Sequence, residues 1–237
     1  MADSTSSVGV LSNIFTAPSL AFAAIKERPN PWLPLLVLMI AVFVVQFTYM
    51  QVVDFPWLMD QQLQQAGANM TDAQRAQLVD ATTRVPPSVL GAIQGVSGAL
   101  TILIIYAVVA LYYLGVSFAT NDKTKYQQWL ALIAWCSLPA VLGYIASLVN
   151  LQVTDARFLP AEQLNPLSFG SLLGLESKGA TIVERILMAL DVTVLWSTVL
   201  QILGYQAFTG RSIGVATVVV LGPLAVIVLI VTLFTLF

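Results

Sequence analysis

Apolar residues in this chain fall into long runs, broken by short polar segments. The first run extends from about Trp32 to Val53 without a charged residue. Roughly 20 apolar residues in a helix reach across a hydrocarbon core about 30 Å thick, so the run predicts a membrane span. Pro31 and Pro34 suit its entrance, where a missing N–H does no harm, and Asp54 ends it. Later runs predict spans at about 89–119, 127–149, 184–208 and 213–237. The expected fold is all-α: a polytopic membrane helix bundle of about five transmembrane helices plus short interfacial helices. Its parts are a cytosolic or interfacial N-terminal segment, 1–30, and a five-helix membrane domain, 31–237.

The segments between the spans carry their own signals. In 1–30 the apolar stretch Leu20–Ile25 is too short and interrupted for a cleavable signal peptide. Pro18 breaks the segment, and Ser19 is placed to cap a short helix to about Arg28. Leu11, Ile14, Phe15, Phe22 and Ile25 recur at near-helical spacing, which suits a helix lying in the interface with its apolar side down; the alternative is a loosely ordered tail. Leu58–Ala66 and Thr71–Thr83 read as short helices separated by Gly67-Ala68-Asn69, with Thr71 and Gln74 fitting a capping box. The stretch 167–175 is too short to span and reads as a surface-lying or re-entrant piece. Pro139 and Gly222-Pro223 predict kinks in the third and fifth spans. Gly91 and Gly95 form a GxxxG pair, extended at the same spacing by Ala99, a small-residue stripe against which another helix can pack closely.

Composition narrows the functional classes. Hydrophobic residues make up 58% of the chain and charged residues 9%, against about 25% charged in typical globular domains. The net charge is −2 and the cations are scattered, which argues against nucleic acid. With no histidine and a single cysteine, Cys136 in an apolar run, neither metal clusters nor histidine-based triads are available, and Cys136 reads as a small buried apolar residue. No catalytic motif, metal site or cofactor is expected, and the chain does not read as an enzyme.

The one ionisable residue well inside a predicted span is Asp191, whose helix also carries Thr193, Ser197 and Gln201 at four-residue intervals. An Asp at a helix centre costs about 2.5–3.5 kcal/mol on an insertion scale, so it is expected to face other helices or a water-filled cavity. It belongs either to a proton or ion path, or to a buried hydrogen-bonding anchor or interface. The absence of a second ionisable group inside any span favours the anchor. Orientation follows the cations: Lys26, Arg28, Lys123, Lys125 and Arg211 crowd the short segments 1–30, 120–126 and 209–212. An equal number are spread over the longer, more acidic segments 54–88 and 150–185, which places the N-terminus in the cytoplasm and the C-terminus on the opposite side.

Several local patterns then combine. The entry Phe15-Thr16-Ala17-Pro18, leading through Ile25 and Pro29, resembles the start of Yip1-domain proteins, as does Thr120–Gln128 leading through Trp129 and Trp135 to Leu138-Pro139. Asn165-Pro166, the segment Leu190-Asp191-Val192-Thr193-Val194-Leu195-Trp196, Gly204 and Thr209-Gly210-Arg211-Ser212 resemble later stretches of the same family. The resemblance implies a five-helix membrane domain with a cytosolic N-terminus. Eukaryotic members act in vesicle traffic and associate with small Rab-type GTPases. Here only about 30 residues precede the first span, which counts against GTPase binding and resembles compact bacterial members of the inner (cytoplasmic) membrane. The expected partners are the lipid bilayer and either a second copy or another membrane protein. The expected role is that of an adaptor or organiser, the alternative being a transporter, channel or transport accessory that uses Asp191. Reporter tags at both ends of the chain should report opposite sides of the membrane, N-terminus inside; tags on one side would contradict five spans.

Overall fold

The computed structural model describes residues 6–65, 71–175 and 181–236. It contains α1 (Ser7–Thr16), α2 (Pro18–Glu27), α3 (Trp32–Val52), α4 (Phe55–Gln65), α5 (Asp72–Thr83) and α6 (Pro87–Ala119), followed by α7 (Tyr126–Cys136), α8 (Ala140–Val153), α9 (Phe169–Leu173), α10 (Ile182–Ala189), α11 (Val192–Thr209) and α12 (Ile213–Leu236). Among the described residues the only β pairing noted is an isolated bridge between Ser168 and Asp191. The fold is an all-α membrane helix bundle. Helices α3 and α6, and α7 together with α8, are long and apolar enough to cross a bilayer. The first thirteen residues of α12, Ile213–Ala225, form a shorter apolar helix of the same character.

Several elements differ from the sequence reading. The third run is divided by a turn at 137–139, where Ser137 N–H and Oγ both donate to Ile133 O, so Pro139 separates α7 from α8. The fourth run, 184–208, is not one helix: α10 stops at Ala189 and α11 starts at Val192, with Leu190 extended between them. At the N-terminus Ser19 does not cap; Pro18 opens α2 at its first position, and Ala17 alone separates α1 from α2. The capping box at Thr71 and Gln74 is formed, Thr71 N–H donating to Gln74 Oε1 at 3.0 Å and Gln74 N–H to Thr71 Oγ1 at 3.3 Å. The Gly67-Ala68-Asn69 separator lies outside the described residues.

The chain divides into two compact units. Unit 1 comprises Met1–Leu38, Thr101–Ala140 and Thr193–Phe237 and is built around Trp129, which is fully buried. Its ring stacks on Tyr205 at 5.3 Å and meets Tyr113 edge-on at the same distance, while its indole N–H donates to Ser117 Oγ at 2.9 Å. The polar segments of this unit are joined to one another. Gln128 Nε2 donates to Lys26 O, Lys26 Nζ to Phe208 O, and Arg211 Nη2 to Thr120 O. Three contacts run up α11 in order: Phe15 meets Trp196 edge-on at 5.4 Å, Phe22 packs beside Gly204, and Lys26 reaches Phe208. The sequence offset is 182 residues for Lys26–Phe208 and the same for Phe22–Gly204, so α2 lies along α11 in the same sense. Gly204 is needed there, because a Cβ would collide with Leu132 and crowd Phe22.

Unit 2 comprises Met39–Leu100 and Val141–Val192. Its core gathers Val45, Tyr49, Met50, Leu58, Leu151 and Leu164. Tyr49 Oη donates to Leu159 O at 2.6 Å, Asp54 N–H to Arg157 O at 2.9 Å, and Asn150 Nδ2 to the carbonyls of Gln163 and Leu164. Alternate polar segments of the chain therefore gather in different units: 1–30, 120–126 and 209–212 in the first, 54–88 and most of 150–185 in the second.

Pro223 lies within α12 without ending it. Proline deprives the carbonyl four residues earlier of its donor, here that of Val219. Tyr112 Oη of α6 supplies the replacement, donating to Val219 O at 3.0 Å. Tyr112→Phe should therefore lower stability by about 0.6–1.7 kcal/mol, the range of intramembrane side-chain hydrogen bonds. Melting in detergent should show the loss in the wild type and little further loss when Pro223→Ala restores the backbone donor.

Candidate functional site

The break between α10 and α11 is where the fold concentrates its polar chemistry. Nothing in residues 189–192 is a helix breaker by composition; the interruption is held from outside. Phe169 N–H donates to Leu190 O at 2.9 Å and Val192 N–H to Leu167 O at 3.4 Å, which makes the short bridge around Ser168 and Asp191. The bridging segment is fixed in turn by its own side chains. Asn165 Oδ1 accepts from Leu167 N–H, Ser168 Oγ caps α9 by accepting from Ser171 N–H, and Ser171 Oγ donates to Asn165 O. Asn165 Nδ2 then donates to Asp191 Oδ2 at 2.6 Å. A carboxylate at a helix start also faces the positive end of the backbone dipole, a second reason for an acid at this position.

Asp191 therefore does not sit two turns inside a helix. It stands immediately before α11, in the bridge with Ser168, where the Asn165 amide meets it. The stretch 167–175 is drawn onto α10: α9 packs against it, with Gly170 so close to Met188 that a Cβ would stand 2.6 Å from its Cγ. A cavity of about 320 Å³ opens beside this clamp, lined by Asn150, Thr154, Gln163, Pro166, Ser171 and Leu175 among others. Its polar groups are neutral amides and hydroxyls, and Asp191 is not among its lining residues.

The other polar candidates lie on α11, in unit 1. Thr193 and Ser197 are buried. Gln201 Oε1 accepts from Tyr113 Oη at 3.2 Å, while Thr198 Oγ1 bonds back to Val194 O. Ser197 Oγ is buried with no hydrogen-bond partner among the described residues. The structure thus places Asp191 in one unit and Thr193, Ser197 and Gln201 in the other.

The small-residue stripe meets α3 of the same chain. A Cβ on Gly91 would stand 3.0 Å from Phe47 O, and one on Gly95 2.6 Å from Phe43 Cδ2; Ala99 is buried. Cys136 is a free, fully buried thiol. Sequence reasoning missed Asn165 as the partner of Asp191, because a pair separated by 26 residues carries no local periodicity. The one available signal was the presence of a turn-forming Asn-Pro beside a stretch too short to span.

The sequence profile of the Yip1 domain matches residues 12–234. The chain is also similar to a protein named "Membrane protein YknW" from Bacillus subtilis (strain 168), at 29% identity over 204 residues, covering 85% of this chain and 79% of that protein. No solved structure matches.

Asn165→Leu and Asp191→Leu should each destabilise the protein by about 1 kcal/mol, the net worth of a part-buried hydrogen bond. Their effects should not add, since both remove one interaction. Asp191→Asn should cost less, because an amide oxygen still accepts from Asn165. Melting of the two single variants and the double variant in detergent checks this; additive losses would dissociate the pair.

Proposed function

Because the chain belongs to the Yip1-domain family, we propose that this multi-pass membrane protein acts without catalysis, as an adaptor or organiser working through helix–helix and partner contacts. The observation that carries the reading is the state of α6. This helix of 33 residues has only 17% of its most apolar stretch buried in the chain, against 39% for α3 and 56% for Tyr126–Val153. Gly91 and Gly95 occupy one side of α6 against α3, while Ile93, Leu100, Ile104, Val108 and Leu111 stand exposed. An apolar face left exposed among the described residues is suited to lipid and to a helix of another membrane protein or a second copy. In this reading the acid that the sequence set apart is a structural group, engaged by Asn165. We place the protein in a bacterial cytoplasmic membrane with its N-terminus inside, following the density of cations in 1–30, 120–126 and 209–212.

A second reading, a channel or transport accessory, is favoured by one observation. Ser197 Oγ is buried and, among the described residues, unpartnered on a face it shares with Thr193 and Gln201. Flux of ions into liposomes containing the wild type, Asp191→Asn or Ser197→Ala decides it, and no flux above empty liposomes removes it.

The adaptor reading is tested by photocrosslinking in native membranes. A photoreactive residue at Ile104 or Leu111 should give discrete protein adducts, whereas one at Val218, exposed on α12, should give fewer. Adducts with lipid alone at every α6 position would overturn it.

A further inference from the structure

The N-terminal pair α1–α2 presents an apolar inner face and an uncharged outer one. The inner face, with Ile14, Phe22 and Ile25, is buried within unit 1. The outer face exposes Val8 (69%), Leu11 (40%) and Leu20 (55%) together with Ser7, Ser12, Thr16 and Ser19, and no charged residue occurs from Ser6 to Ile25. A helix pair lying flat on a membrane surface would turn a polar face to water, and this pair has none of the charge that such a face carries.

Its depth is fixed by its register on α11. The contacts Phe15–Trp196, Phe22–Gly204 and Lys26–Phe208 climb α11 in order. From Trp196 to Phe208 is twelve residues, about 18 Å at 1.5 Å per residue. That is more than half of a hydrocarbon core about 30 Å thick. The upper end of this ladder is charged, with Lys26, Glu27, Arg28 and Arg211, and the lower end is not. We infer that α1 and α2 form a re-entrant hairpin, which enters and leaves on the same side of the bilayer with Ala17 at its tip near the midplane and its outer face against acyl chains.

The tip is built for that environment. Backbone groups in hydrocarbon must find partners within the protein. Ala17 N–H donates to Asn13 O at 2.8 Å, Pro18 has no N–H to satisfy, and Leu20 and Ala21 donate back to Ala17 O at 3.0 and 3.4 Å. Thr16 Oγ1 turns inward to Ser12 O. A hairpin of this kind adds volume mainly to the leaflet it enters, a property that the adaptor reading neither requires nor supplies.

Single cysteines test the placement in the full chain, reconstituted into vesicles of phosphatidylethanolamine and phosphatidylglycerol. The native Cys136 is buried and provides the unlabelled baseline. Leu11→Cys and Leu20→Cys occupy positions open in the protein, so only lipid can shield them; Glu27→Cys is the rim control. A membrane-impermeant maleimide should label Glu27→Cys from one side and the other two from neither. Each unit by which burial in lipid raises a thiol pKa removes about tenfold of the reactive thiolate, so the difference should exceed tenfold. Equal labelling of Leu20→Cys and Glu27→Cys from one side overturns the inference. A fluorophore on Leu20→Cys should be quenched more by lipid spin-labelled at mid-chain than at the headgroup. The opposite order, or protection without quenching by either lipid, overturns lipid as the occupant. Melting temperatures matching the wild type establish that each variant is folded.

Discussion

A backbone amide or carbonyl that loses its helical partner in an apolar setting has to be given another, and much of this fold consists of such replacements. At Pro223 the freed Val219 carbonyl is taken by the Tyr112 hydroxyl. At the interruption between α10 and α11, Leu190 O and Val192 N–H are taken by Phe169 N–H and Leu167 O. At Ala17, between α1 and α2, the bonds are made among its own neighbours. Each solution draws on a different resource: a side chain from another helix, a strand-like segment, or a proline that needs no donor. The helices can be interrupted only where one of these is at hand.

The same constraint determines how the few polar side chains are used. Asn165 and Asp191 fasten the segment that repairs the α10–α11 interruption, and Ser117 holds the Trp129 indole at the centre of unit 1. Lys26 and Arg211 donate to main-chain carbonyls at Phe208 and Thr120. With so many of these groups engaged in holding helix ends and breaks, the family membership and the uncovered side of α6 become the features that bear most on function.

How much of this was legible in the sequence depended on whether the signal was local. The span at Trp32–Val52 and the long helix Pro87–Ala119 are stated by uninterrupted apolar runs and by prolines at their starts, and the capping box at Thr71 by its spacing. The run 184–208 was read as continuous because no Gly or Pro marks the break; the interruption is imposed by residues 167–169, which pair with it from another part of the chain. For the same reason Asp191 was placed within a helix when it stands at the start of one. The glycine stripe was legible as a packing surface, but spacing on one helix does not name its partner, which here is Phe43 and Phe47 of α3. The aromatic cluster around Trp129 left no trace in periodicity, since Tyr113 and Tyr205 come from runs far apart in sequence.

The ladder between α2 and α11 has a consequence for the order in which the protein is made. Lys26 and its acceptor at Phe208 are separated by 182 residues. At about 5–20 residues per second, roughly ten to thirty-five seconds of synthesis pass between the two. Throughout that interval Phe22 and Ile25 have emerged, but the helix that will cover them has not. The hairpin must wait at the insertion machinery or in the leaflet beside it, and α11 closes over it near the end of translation. A segment made 182 residues ahead of its partner is thus among the last to find its place, and a ribosome that stalls before Gly204 leaves it with an open flank.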